Sequence, residues 1–360
     1  MPDATLTDRD LNRALLARQM LLERQPLTPM EALRRLVGVQ AQLPRTPFLG
    51  LWSRLAGFKP EDLRAAIEAH DVVRATAMRG TLYLMTTSDF LAFRASLRSG
   101  ETMALPGGTK TTVGELEPVL ALARAHFAEP KEFETFRKSL ERAGFSDIRI
   151  MAYAARQLLP LVQAASDTPY GFSPGGEFVL AKAYLGQDVA AAPAPAELLR
   201  RYLAAWGPAT PADFSGWSGL KGVAPLFDEI AGDIVTFRDA RGKLLYDLKD
   251  APRPGGDIPA PPRFVPDFDA VTQGHQDRAR IVPAQHAPRI ASKNLQVPPM
   301  LLVDGFVAGT WRLETKSKTP TVMVTAFEKF SPKDRQAIEA EAIALAKAFE
   351  PAAEPAVVFA

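Results

Sequence analysis

The sequence predicts an α+β protein: one unit of helices followed by a strand pair occurs three times, and a β-rich segment under a long helix follows. Three observations predict it. Apolar residues recur at helical spacing up to about residue 67 and then switch to a period of two across residues 72–85. The same switch returns over 113–181 and again over 196–248. After residue 262 the composition is strand-like, with Asp304-Gly305 between two apolar runs as a strong hairpin signal.

Residues 7–24 carry Leu11, Leu15, Leu16, Met20 and Leu21 on one helical face. Thr28 before Pro29 marks a capped start for a second helix through Ala32, Leu33, Leu36 and Val37. A third begins near Pro60 and buries Leu63, Ala66 and Ile67. Residues 72–78 and 81–85 then form a hairpin about Arg79-Gly80. Three helices and a strand pair are the outline of a winged helix, a helix-turn-helix with a hairpin attached. In the second unit, helical patterns over 113–127, 131–142 and 147–159 lead to strands at 161–164 and 177–181, with a Pro- and Gly-rich wing between them. The third has a helix to Trp206, a second helix capped by Thr210 before Pro211, and strands at 234–238 and 243–248. The expected modules are winged helices over 1–105, 106–190 and 191–255, with a β-rich domain over 256–360, a partial barrel closed by a helix from Pro332 to Phe349.

Composition narrows the function. The chain has 360 residues, no cysteine and four widely spaced histidines, so disulfides and cysteine-ligated metal are excluded and no metal or cofactor is expected. No run approaches the roughly 20 apolar residues that span a bilayer, and no basic-then-apolar leader opens the chain, so a cytoplasmic protein without membrane contact is expected. A net charge of +2 means that nucleic-acid binding would need locally placed Arg and Lys. Gly107-Gly108-Thr109-Lys110-Thr111 lacks the spacing of a phosphate loop, and Gly216-Trp217-Ser218-Gly219 is out of register for a serine nucleophile.

The stretch with most chemical content is Leu36-Val37-Gly38-Val39-Gln40-Ala41-Gln42-Leu43-Pro44. Gln40 and Gln42 sit among apolar residues, where an uncommitted amide is costly. Spaced i, i+2 in extended backbone, they point the same way. Two amides aimed into one pocket can hold a water or read a flat heterocycle; equally, they can cap a helix end. Other clusters are Arg74 and Arg79 on the first hairpin, where an arginine either contacts phosphate or is solvated, and residues 264–280. There Asp277 and Arg278 form a structural network, or Arg278 and Arg280 grip phosphates. Arg289 and Lys293 continue the basic character, and Trp311 after Asp304-Gly305 reads as a core tryptophan.

In order along the chain, Val39-Gln40-Ala41-Gln42, residues 78–84, Trp206-Gly207-Pro208-Ala209-Thr210, Pro266-Asp267-Phe268-Asp269, His275-Gln276-Asp277-Arg278 and residues 303–311 together resemble the winged-helix DNA-binding superfamily of the AlkZ/YcaQ type, bacterial DNA glycosylases. The resemblance covers nearly the whole chain. It implies a C-shaped clamp on double-stranded DNA, nucleoid association, excision of N-alkylated bases and unhooking of interstrand crosslinks. Gln40 and Gln42 match the catalytic Gln-x-Gln. Arg45, Arg79, His275, Arg278, Arg280 and Lys293 are the expected DNA contacts, with Asp267, Asp277 and Trp311 as support. Gln276 departs from relatives that carry a small residue there. An asymmetric clamp of three modules is expected to be a monomer.

Neutral amides suffice for such a substrate. Alkylation at N7 or N3 makes a purine cationic, so the leaving group needs no general acid. What remains is to place a water and stabilise an oxocarbenium-like sugar, which amide oxygens can do without titrating. The function so read is hydrolysis of the N-glycosidic bond of cationic N-alkylated purines; the alternative is a non-catalytic winged-helix regulator or lesion sensor.

Overall fold

Threonine caps start several of the helices on which the chain is built, as the computed structural model shows; it describes residues 4–97, 102–104, 110–290, 296–315 and 319–360. A short strand β1 (Thr5–Leu6) precedes α1 (Asp8–Arg18), where Thr7 and Asp10 form a reciprocal capping box. Thr28 and Glu31 do the same for α2 (Pro29–Leu36), which ends at Val37 in the left-handed region. Then come β2 (Val39–Gln40), α3 (Thr46–Trp52), α4 (Pro60–Glu68), β3 (Val72–Thr76), β4 (Leu82–Thr86) and α5 (Thr87–Leu97). Helix α3 starts two residues after Pro44, with Pro47 in its first turn, where a missing N–H costs nothing.

The middle of the chain gives β5 (Thr102–Ala104), β6 (Lys110–Thr112), α6 (Glu117–His126), α7 (Phe133–Arg142), α8 (Ile148–Leu158), β7 (Leu161–Gln163), β8 (Phe178–Leu180) and α9 (Ala181–Leu185). Next are α10 (Pro195–Trp206), α11 (Pro211–Ser218), α12 (Ala224–Glu229), β9 (Ile234–Asp239) and β10 (Leu244–Leu248). The chain ends with β11 (Arg263–Val265), α13 (Ala287–Ile290), β12 (Met300–Val303), β13 (Phe306–Glu314), β14 (Thr321–Ala326), α14 (Pro332–Phe349) and β15 (Ala356–Phe359).

Pairing between distant strands ties these segments together. One sheet runs β2-β4-β3-β7-β8, so the first and second hairpins share a sheet through Arg74 opposite Gln163 and Ala75 opposite Val162. Strand β1 adds in parallel to β9, next to β10. The last sheet, β11-β12-β13-β14-β15, has two free edges among the described residues and is not closed; the expected partial barrel is an open sheet. Strand β15 joins it in parallel after the crossover through α14.

Helix α1 sits in the largest apolar cluster, where Leu15 and Leu16 accompany Leu199, Leu203, Trp206 and Trp217. Arg18 at its end makes a buried two-pronged ion pair with Asp247 of β10, both bonds 2.7 Å. Among the described residues no helix is long and apolar enough to cross a membrane, and no three His, Asp or Glu are grouped to hold a metal ion.

Candidate active site

The loop carrying Gln40 and Gln42 is set by the end of α2. Val37 and Gly38 have φ of 58° and 83°, and a Cβ on Gly38 would lie 2.6 Å from Met85 Cγ and 2.8 Å from the Leu84 carbonyl oxygen. Only glycine fits. The turn delivers β2 to the edge of β4, with Gln40 opposite Tyr83. Beyond Gln40 the chain leaves the sheet and its carbonyls are taken up from two sides. Buried Arg74 donates from Nε to the Ala41 carbonyl at 2.8 Å, from Nη2 to the Gln42 carbonyl at 3.0 Å, and from Nη1 to Gln163 Oε1. The Thr46 hydroxyl donates to the Gln40 and Leu43 carbonyls at 3.2 and 2.9 Å. Burial, with the charge of Arg156 second, lowers the pKa of Arg74 to about 10.

The two glutamines are not equivalent. Gln40 is 7% exposed, and its Oε1 accepts from Arg79 Nη2 at 3.1 Å. Gln42 is exposed, and its carboxamide has no partner among the described residues. The period of two that would aim them together holds only in a strand, and β2 ends at Gln40.

Gln40 lines a narrow crevice, with room for about one water, beside Gln19, Thr46, Arg54, Trp206 and Asp269. Arg54 and Asp269 form a buried two-pronged ion pair, both bonds 2.8 Å. That bond commits the carboxylate, which leaves it unsuited to act as a base. Two donors on residues of the crevice, Arg54 Nε and Trp206 Nε1, are buried without a hydrogen-bond partner among the described residues. Tyr83, the cross-strand partner of Gln40, is fully buried, and desolvation raises its pKa so that the hydroxyl stays protonated.

The expected cationic contacts separate into two groups. Arg45 is exposed and pairs with Asp267 at 3.2 Å; Arg278 is exposed without an ion pair among the described residues; Arg79 is half-buried. His275 and Arg280 are buried instead. His275 Nε2 bonds the Trp206 carbonyl at 2.9 Å, and Arg280 Nη1 donates to the Pro208 carbonyl at 2.8 Å. Neither side chain is available to a phosphate, and the expectation of DNA contact gives way to support of the segment after α10. Burial, then the charge of Arg280, holds the His275 imidazole well below its ordinary pKa. Asp277 pairs with Arg241 at 2.8 Å rather than with Arg278. Trp311 is buried against Phe264, its Nε1 donating to the Val265 carbonyl at 2.9 Å. Lys293 and the Gly107–Thr109 run lie outside the described residues.

Sequence reasoning missed Arg54, Asp269, Trp206 and Gln163 as site residues and left Arg74 as a hairpin arginine. A signal existed for two of them, since Trp206 and Asp269 stand in the quoted motifs.

The matched sequence family defines the chain as a DNA glycosylase, an enzyme of DNA repair that binds DNA. The family described as DNA glycosylase AlkZ-like matches residues 33–348, and the chain belongs to that family. A protein of Streptomyces sahachiroi described as interstrand DNA cross-link repair glycosylase is 26% identical over 356 residues, covering 92% of this chain and 93% of that one. The solved structure of Streptomyces sahachiroi DNA glycosylase AlkZ matches with a TM-score of 0.79 at 20% identity, covering 98% of this chain and 100% of that chain.

Proposed function

We propose that the chain hydrolyses the N-glycosidic bond of cationic N-alkylated purines in duplex DNA, including those held in interstrand crosslinks, with Gln40 and Gln42 as its catalytic residues. One observation carries the reading. A buried carboxamide held in one orientation stands two residues from an exposed one without a partner, on a loop whose carbonyls are bonded to Arg74 and Thr46. The absence of an uncommitted carboxylate among the crevice residues suits a base that leaves as a neutral molecule, because no acid is needed to protonate it. Both amide oxygens accept from a water, Gln40 through the lone pair that Arg79 leaves free, and the unpartnered Gln42 carboxamide turns its dipole toward the sugar as positive charge develops.

The DNA would be held by Arg45 and Arg278, with Lys293 as a further contact. We read the chain as winged helices over 1–105, 106–190 and 191–255 and a C-terminal domain over 256–360, arranged as a C-shaped monomeric clamp. Antiparallel pairs β3–β4, β7–β8 and β9–β10, each following a set of helices, support that reading.

The test is release of free base from a duplex containing N7-methylguanine. Gln40→Ala and Gln42→Ala are each expected to slow release by about a hundredfold while duplex affinity is kept, the loss typical of one preorganised dipole. A uracil duplex is expected to remain intact; its cleavage at a comparable rate, or unimpaired alanine variants, would refute the proposal.

A further inference from the structure

Arg79 holds an unusual position. Its φ is 54°, a left-handed conformation that a long side chain rarely adopts and that a fold keeps only where its surroundings require it. The next residue, Gly80, has φ of 70°, and its carbonyl accepts from Gln157 Nε2 of α8 at 3.1 Å. A Cβ on Gly80 would lie 2.5 Å from Gln157 Oε1. On its other side the turn meets α11, where Arg79 Nη1 donates to the Trp217 carbonyl at 3.5 Å and Gly219 packs against the Arg79 backbone. Thus elements from the second and third units hold one arginine whose Nη2 reaches the Gln40 carboxamide at 3.1 Å. No carboxylate pairs with Arg79 among the described residues.

We propose that Arg79 is a positioning residue, which fixes the Gln40 carboxamide with its oxygen toward the guanidinium and so determines which end of that side chain meets the reacting nucleoside. The inference rests on the glycosylase reading. A guanidinium only donates, whereas an amide has a donor end and an acceptor end. With Arg79 in place, Oε1 is anchored and has one further lone pair, and Nε2 is turned away from the arginine. Without it, a half-turn of the amide exchanges donor for acceptor, and the side chain is free to present the wrong atom. This role differs from the phosphate contact that a hairpin arginine would otherwise make, and the two move different observables. A lost phosphate contact weakens binding and lowers the salt slope by about one. A lost orienting contact slows the bound complex.

The experiment compares Arg79→Met and Arg79→Lys with the wild type on an N7-methylguanine duplex, after thermal melts show that the variants fold; if Arg79→Met does not, Arg79→Lys carries the comparison. Single-turnover base release at saturating protein, duplex affinity across a salt series and the side-chain amide resonances of Gln40, assigned by their loss in Gln40→Ala, are measured. Arg79→Met is expected to slow release at least about tenfold with affinity and salt slope unchanged, to shift the Gln40 resonances, and to be partly rescued in Arg79→Lys. An unchanged rate with a salt slope reduced by about one would overturn the proposal in favour of a phosphate contact. Unmoved Gln40 resonances would overturn it as well. Absence of base release by the wild type would refute the substrate and catalytic residues proposed above, and Arg79's part in the reaction with them.

Discussion

At the scale of single residues, the site is supported by charges that the sequence shows and does not pair. Arg54 and Asp269 are both buried and bonded twice to one another, and Asp269 also accepts the Val271 amide at 3.0 Å. Removing one partner strands the other in a medium that solvates it poorly. Asp269→Ala is therefore expected to cost about 3–5 kcal/mol in denaturant unfolding. His275 yields a pH dependence. Its folded pKa lies below the ordinary imidazole value of 6.5, so the unfolded chain binds the proton more readily. The stability contributed by the neutral ring is complete above that value and falls as pH drops below it. Melts between pH 7.5 and 5 are expected to show a decline, at most about 1.4 kcal/mol per pH unit from this group, that His275→Gln reduces. The sequence made Arg280 look like a phosphate grip, and the resemblance made His275 a DNA contact, because the Trp206 and Pro208 carbonyls that claim them are not visible in a string of letters. Gln40 and Gln42 were legible as a pair because two amides among apolar neighbours need a reason.

At the scale of elements, what depends on local chemistry was readable and what depends on remote partners was not. Thr28 with Glu31, Thr210 with Asp213 and the Asp304-Gly305 turn are each decided within a few residues, and each lies where local rules put it. Helix α3 carries no such local signal, because its seven residues, with Pro44 just before them and Pro47 in the first turn, leave little helical period to read. Strands β11 and β15 are short and identified as strands by neighbours from β12 and β14. The junction between α2 and β2 combines both kinds of information, since Gly38 reads as a helix end while its closeness to Met85 and Leu84 comes from the sheet. Gly38→Ala is expected to lose at least about 2 kcal/mol, because the new methyl group meets a backbone oxygen that cannot move and φ stays positive. Base release is expected to fall further than folding does, as the displaced loop carries both glutamines. Activity per folded molecule, with the folded fraction measured by circular dichroism, separates the two effects.

At the scale of the whole molecule, hairpin units that the sequence separates are joined by strand pairing. The sheet β2-β4-β3-β7-β8 crosses from the first unit to the second, and the crossing falls at Arg74, whose guanidinium holds the Ala41 and Gln42 carbonyls and the Gln163 amide oxygen. Gln163 in turn donates from Nε2 to the Ser173 carbonyl at 2.7 Å in the connection between β7 and β8. Docking of β7 on β3 therefore helps to hold the guanidinium that shapes the glutamine loop. Unfolding the second hairpin alone would expose β3 as an edge and leave a buried guanidinium without one of its acceptors, so local opening has little to recommend it over joint opening. Native-state hydrogen exchange is expected to show the most protected amides of β3–β4 and of β7–β8 opening with one free energy and one denaturant dependence. Gln163→Ala is expected to lower both by the same amount. Exchange of β7–β8 through a separate, cheaper step would mean that the second unit can leave while the site remains assembled. Joint opening would mean that the geometry around Gln40 exists only in a molecule whose first two units are folded together.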